Sequence, residues 1–69
     1  RTMQQRYEVK GMSCAHCEKA VAEALKKVPG VTRVVSVSRE REEVVIEGDP
    51  SPQAVIEAIL EEGYDARLA

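Results

Sequence analysis

Four short segments of the chain each predict a β-strand, three of them from alternating apolar and polar residues and one from a short apolar run. The first covers residues 5–10 and the second covers residues 31–38. Val34 interrupts the alternation of the second segment, so we expect a bulge close to this residue. Residues 44–46 predict a third strand, and residues 64–68 predict a short fourth one.

The alternation also assigns an inner face to two of these strands. In the second strand it places Val35 and Val37 on one side and the neighbouring serines on the other. In the fourth strand we expect Ala66 and Leu68 on the inner face. The charged residues 39–42 form the turn between the second and third strands, which makes these two strands a hairpin.

Two further segments show the three- to four-residue spacing of an amphipathic helix. The first helix is predicted from Cys14 onwards, with Ser13 as its N-cap, and the Pro29-Gly30 pair is expected to end it. The second helix is predicted to begin at Pro52 with Ser51 as its cap. The apolar positions of the two helices are Cys17, Val21, Ala24, Leu25 and Val28, followed by Val55, Ile56, Ile59 and Leu60.

The resulting element order, βαββαβ, predicts an α+β fold of the ferredoxin-like type. Two right-handed βαβ halves combine into a four-stranded antiparallel sheet with both helices on one face. We expect residues 1–69 to form a single domain, with residues 1–4 as a loose N-terminus.

Composition excludes several functional classes. A chain of 69 residues has little room for a deep substrate cleft, so we expect a binding module and not an enzyme. The net charge of -2 and the presence of only two aromatic residues argue against a nucleic-acid partner. The longest wholly apolar run is three residues, and residues 1–10 lack the apolar core of a signal peptide. We therefore expect a cytoplasmic protein that does not insert into a membrane.

The candidate chemistry lies in two cysteines, Cys14 and Cys17, at the junction of a loop and a helix. The start of a helix offers free N–H groups and the positive end of its dipole, which favour thiolate. Two thiolates suit a soft ion of low coordination number such as Cu(I), whereas Zn(II) normally takes four ligands. A redox-active dithiol is the alternative from a different functional class.

The motif Gly-Met-Ser-Cys-Ala-His-Cys at residues 11–17 resembles the heavy-metal-associated domain family, and within it the small bacterial copper chaperones. Gly-Tyr-Asp-Ala at residues 63–66 and Val-Pro-Gly-Val at residues 28–31 extend the resemblance, which covers the chain from Tyr7 to Leu68. It implies that Cys14 and Cys17 bind Cu(I), for which Ag(I) or Hg(II) could substitute. It further implies delivery of copper to the metal-binding domain of a copper-transporting P-type ATPase.

Four other residues surround the predicted site, and each has a structural and a functional interpretation. In the family the residue matching Met12 is a buried support for the loop, and the residue matching Tyr64 lies near the metal. Tyr64 caps the edge of the sheet or donates a hydrogen bond to a thiolate. His16 faces solvent or serves as a third ligand. We also expect Ser13 to lie beside the two cysteines without binding the metal.

The expected function is a Cu(I) metallochaperone that passes its ion to the ATPase by thiolate exchange, as a monomer or as a metal-bridged dimer. Within the family, a metal-binding domain of such an ATPase and a mercuric-ion carrier are alternatives. The sequence departs from the family pattern in its second strand, where Val35 and Val37 come one residue late and Arg39 occupies a position where Leu is common. This departure puts the register of that strand in question.

Overall fold

The computed structural model describes residues 3–69. The elements are β1 Gln4–Lys10, α1 Ala15–Lys26, β2 Val31–Ser38, β3 Glu43–Gly48, α2 Pro52–Glu61 and β4 Asp65–Leu68. The predicted element order is confirmed, and the sheet is antiparallel with strand order β2-β3-β1-β4. No helix within residues 3–69 has the length and apolar character needed to cross a membrane.

The hydrophobic core lies between one face of the sheet and the two helices. Tyr7 of β1 pairs with Val44 of β3, so both side chains point to the same face, and both are fully buried. Every second residue of a strand shares a face, and Val9 and Ile46 are therefore buried beside them. The helices add Val21, Leu25, Val55 and Ile59, with Val28 just beyond α1.

The N-terminal boundary differs from the prediction. Gln4, which we expected in a loose terminus, begins β1 and pairs with Glu47, and the carbonyl of Met3 accepts a hydrogen bond of 2.9 Å from the N–H of Gly48. Pairing with β3 satisfies the backbone N–H and C=O groups of this segment. The alternation of side chains does not reveal such pairing, so the strand begins earlier than predicted. Residues 1–2 lie outside the described part of the chain.

Strand β2 contains the predicted irregularity, and its consequence corrects the expected inner face. The register with β3 shifts between Val31 and Arg33 and again between Val34 and Ser36. Val35 is the extra residue at the second shift, and it is 38% exposed instead of facing inwards. Val34 and Val37 pack against the core.

The start of α2 and the inner face of β4 follow the predictions. Ser51 is the N-cap of α2 and Pro52 is its first residue, as predicted. Helix α1 ends at Lys26, before the Pro29-Gly30 pair. Leu68 lies opposite Tyr7 and so faces inwards as predicted, but it is on an edge strand and remains 52% exposed.

Candidate metal centre

Residues 11–14, here called the metal loop, connect the end of β1 to the start of α1. Gly11 begins the loop with a φ of 106°, a conformation that residues with a side chain rarely adopt. A Cβ atom at this position would lie 3.3 Å from Cδ1 of Tyr64. Glycine therefore lets the chain turn and also lets the aromatic ring pack against the loop.

The start of α1 corrects the prediction for Ser13. Cys14, not Ser13, is the N-cap; its backbone is extended and no side chain caps the helix. The carbonyl of Cys14 accepts the N–H groups of Cys17 at 3.0 Å and Glu18 at 3.3 Å, which closes the first turn one residue later than predicted. The hydroxyl of Ser13 instead lies 4.0 Å from Sγ of Cys17.

The two thiols come together as the spacing predicted. Their sulfur atoms are 3.3 Å apart, and both cysteines are free. Cys14 is exposed at the end of the loop, whereas Cys17 is half-buried on the first turn of the helix. An external molecule therefore reaches Cys14 more readily than Cys17.

Tyr64 reaches this site because of the way α2 ends. The N–H of Gly63 donates to the carbonyl of Leu60 at 2.9 Å, and the N–H of Tyr64 donates to that of Ile59 at 3.4 Å. This pair of bonds is a Schellman motif, and Gly63 has the left-handed φ of 98° that it requires. The motif reverses the chain immediately before β4 and holds the half-buried Tyr64 beside the metal loop.

The surroundings of Cys17 stabilise its thiolate. A hydrogen bond from the Tyr64 hydroxyl is the largest cause, followed by bonds from the Ser13 backbone and from Cys14, and together they lower the pKa of Cys17 to about 6. The same bond raises the pKa of Tyr64, because a phenol that donates to a thiolate resists ionisation. Cys17 is thus mainly thiolate at neutral pH, the form that binds soft metals.

Met12 and His16 differ in their surroundings. Met12 is half-buried and packs against the hydrophobic core, which fits a supporting position below the loop. His16 is exposed on the first turn of α1. Within residues 3–69, no three His, Cys, Asp or Glu side chains come together in a geometry that could hold a metal, and the two cysteines are the candidate donors.

Sequence reasoning missed one contact next to this site. Glu18 of α1 accepts hydrogen bonds from Arg39, which lies in the turn after β2. The only signal in the sequence was that Arg39 occupies a position where the family usually has Leu.

A ferredoxin-like sandwich that presents two free thiols where a loop meets the first turn of a helix defines a small dithiol domain suited to soft metal ions. The chain belongs to the heavy-metal-associated domain family, whose model matches residues 6–65.

Relatives and solved structures agree with this assignment. The copper chaperone CopZ of Enterococcus hirae is 36% identical over 69 residues, which cover 96% of this chain and 99% of that protein. Copper-transporting ATPase 2 of Rhizobium meliloti is 39% identical over 91% of this chain, but the chain spans only 8% of the ATPase. A crystal structure of a copper binding domain from HMA7, a P-type ATPase, superposes with a TM-score of 0.89. It is 28% identical, and the match covers 96% of this chain and 92% of that one.

Proposed function

We propose that this chain is a Cu(I) metallochaperone that binds one ion between Cys14 and Cys17 and passes it to a copper-transporting P-type ATPase. The observation that carries the proposal is the pair of free thiols with sulfur atoms 3.3 Å apart. The lowered pKa of Cys17 adds to it, because binding then releases fewer protons. The match to a copper chaperone over almost its whole length supports the same function.

The donor set favours soft monovalent copper. Thiolates select Cu(I), and two of them can satisfy a d¹⁰ ion that accepts low coordination numbers. Zn(II) in structural sites takes four ligands, and within residues 3–69 no third His, Cys, Asp or Glu side chain joins the pair in a geometry that could hold a metal. Ag(I) and Hg(II) share the softness of Cu(I) and serve as substitutes in the same site.

Transfer proceeds by thiolate exchange between protein ligands. A thiolate of the partner forms a bond to Cu(I), which gives a three-coordinate intermediate, and one bond to this chain then breaks. A second thiolate of the partner replaces the remaining cysteine of this chain in the same way. Copper remains Cu(I) throughout, and the thiolate that leaves takes up a proton from water. Because Cys14 is the more exposed ligand, the partner's thiolate approaches from its side.

The partner in this proposal is a metal-binding domain of the ATPase, and the reaction takes place in the cytoplasm. Both thiols must stay reduced to bind copper, and the cytosol keeps thiols reduced. The protein acts as a monomer, or as a dimer in which two dithiols share metal. No chemical conversion of a substrate is part of this function.

A second candidate is that the chain is itself a metal-binding domain of such an ATPase. Its 39% identity to a segment of Copper-transporting ATPase 2 favours this function. Both candidates use the same site and the same ion, and they differ in whether the chain is covalently attached to the transporter.

Transfer is tested by mixing the copper-loaded chain with an apo metal-binding domain of a P-type ATPase under anaerobic conditions. We expect copper to redistribute between the two proteins within the mixing time of a size- or charge-based separation. A partner variant without cysteines is the control and should receive none. Copper that stays on this chain, although a small chelator can remove it, would contradict a chaperone function.

A further inference from the structure

The turn formed by residues 39–42, here called the brace turn, contacts the chain on both sides of the metal loop. On one side the N–H of Val9, in β1, donates to the carbonyl of Glu42 at 2.8 Å. On the other side the N–H of Arg39 donates to Oε2 of Glu18, in α1, at 2.7 Å. The metal loop therefore spans two points that are both fastened to the same turn.

The contact at Glu18 is the stronger candidate for a specific role. A backbone N–H that donates to a carboxylate makes a charge-assisted hydrogen bond, which is stronger than a neutral one. The guanidinium of Arg39 adds a second bond to the same carboxylate at 3.3 Å. This ion pair is partly exposed, with side chains 40% and 26% accessible, so screening by water leaves it little weight.

Within residues 3–69, no other carboxylate links the first turn of α1 to a neighbouring element. The N-cap of α1 is Cys14, and no side chain caps the helix. An uncapped helix end frays easily, and here the fraying turn carries Cys17. Glu18 follows Cys17 directly, so a bond that fixes Glu18 also limits the movement of Cys17.

The brace turn itself is well defined. The N–H of Arg41 donates to the hydroxyl of Ser38 at 3.2 Å, which closes the turn at the end of β2. Glu42 has a left-handed backbone with a φ of 54°. A closed turn that is also paired to β1 offers a firm attachment for α1.

We propose that Glu18 is a positioning residue: by accepting the backbone N–H of Arg39, it holds the first turn of α1 and keeps the thiol of Cys17 close to that of Cys14. The identity of the ion in this inference rests on the proposed function. The positioning of Cys17 relative to Cys14 by Glu18 does not depend on that function.

The negative charge of Glu18 should speed the release of copper, whereas its hydrogen bond to Arg39 should slow it. Because the two effects have opposite signs, they can be measured separately. Two thiolates and one Cu(I) carry a net charge of -1, so a neighbouring carboxylate repels the loaded site. If charge alone mattered, removing it would slow the release of copper. If position matters, moving the carboxylate away from the Arg39 N–H would speed the release.

Two variants separate the effect of the charge of Glu18 from that of its side-chain length. Glu18→Gln keeps an oxygen acceptor at the same distance along the side chain and removes the charge. Glu18→Asp keeps the charge but shortens the side chain by one methylene. The matched control is Glu47→Asp, because Glu47 pairs with Arg33 at 3.2 Å on the same hairpin, at the opposite end of β2.

The first measurement is the rate at which a Cu(I) chelator removes copper from each loaded protein. We expect Glu18→Asp to release copper about three- to tenfold faster than wild type, because the shorter side chain loses part of one charge-assisted hydrogen bond. Glu18→Gln weakens the same bond but also removes the repulsion of the loaded site, so its release rate should lie between those of wild type and Glu18→Asp. Glu47→Asp should match wild type. A Glu18→Asp rate equal to wild type, or a Glu47→Asp rate equal to that of Glu18→Asp, would overturn the proposal.

The second measurement needs no metal. Oxidised glutathione converts the dithiol to an intramolecular disulfide and is reduced to two glutathione thiols, so the equilibrium reports how well the two sulfurs are held together. We expect the disulfide of Glu18→Asp to be less favoured by about threefold, and that of Glu47→Asp to be unchanged. If wild type bound no copper, the proposed function would fail while this equilibrium still decided the role of Glu18. Equal equilibria for wild type and Glu18→Asp would refute it.

Discussion

Replacing Tyr64 with Phe removes one hydroxyl from the site, and its effect on Cys17 can be worked out from the structure. Four hydrogen-bonding contributions lower the pKa of Cys17 from 9.0 to about 6, and the bond from Tyr64 is the largest of them. Removing this donor should therefore raise the pKa of Cys17, and the loss of one hydrogen bond to a charged group corresponds to a rise of about one unit.

The measurement is the rate of alkylation of Cys17 as a function of pH, followed by mass mapping so that Cys14 is counted separately. At pH 5 a rise of about one unit leaves roughly tenfold less thiolate. A thiolate of higher pKa is also roughly threefold more nucleophilic, which offsets part of the loss. We thus expect Tyr64→Phe to react about threefold more slowly at pH 5 and about threefold faster above pH 9, with the two profiles crossing between these values.

The matched control is Tyr7→Phe, because Tyr7 is the only other tyrosine and its hydroxyl donates to Oε1 of Gln5 inside the fold, away from the thiols. It should leave the alkylation profile of Cys17 unchanged. Superimposable profiles for Tyr64→Phe and wild type would refute the assignment of the hydroxyl as the main cause of the lowered pKa.

Four further predictions concern stability and binding. The apo protein should gain stability as the pH rises from about 6 to about 9 and lose it as the pH falls through the folded pKa of Cys17, because that pKa is lowered on folding. Chemical denaturation across this pH range should show the gain in wild type and none in Cys17→Ser. Met12→Ala should cost about 1–2 kcal/mol in the free energy of unfolding, since the side chain is half-buried, and a loss of copper as large as in a cysteine variant would instead make Met12 a ligand. Leu25→Ala, at a fully buried position, should cost about 2–5 kcal/mol, and a wild-type melting temperature would contradict the described core. His16→Ala should still bind one Cu(I) per chain in native mass spectra, because His16 is exposed; loss of the ion would show that it is a ligand.

The element order and the position of the thiols followed from local signals in the sequence. Alternation in β1 and the spacing of apolar residues in α1 and α2 report which faces are buried, and burial of those faces sets the layers. The motif at residues 11–17 placed both cysteines at the start of a helix, where the structure has them. These features depend on neighbours a few residues apart.

The features that could not be predicted depend on contacts between distant parts of the chain. Gln4 joins β1 because its backbone pairs with β3, and Val35 turns outwards because the bulge adds a residue to β2. The cap of α1 moved from Ser13 to Cys14, where two N–H groups share one carbonyl. The bond between Glu18 and Arg39 joins residues that are 21 positions apart, and no pattern of hydrophobicity encodes it.

The central claim, that Cys14 and Cys17 together hold one Cu(I), is tested most directly by anaerobic titration against a chromophoric Cu(I) chelator, with native mass spectrometry at each step. We expect wild type to remove one copper per chain from the chelator, whether the species is a monomer or a metal-bridged dimer. Cys14→Ser and Cys17→Ser should each lose this competition while keeping a folded apo spectrum. Copper retained by a variant lacking both thiols, or wild type that takes none from the chelator, would contradict the assignment of these two ligands.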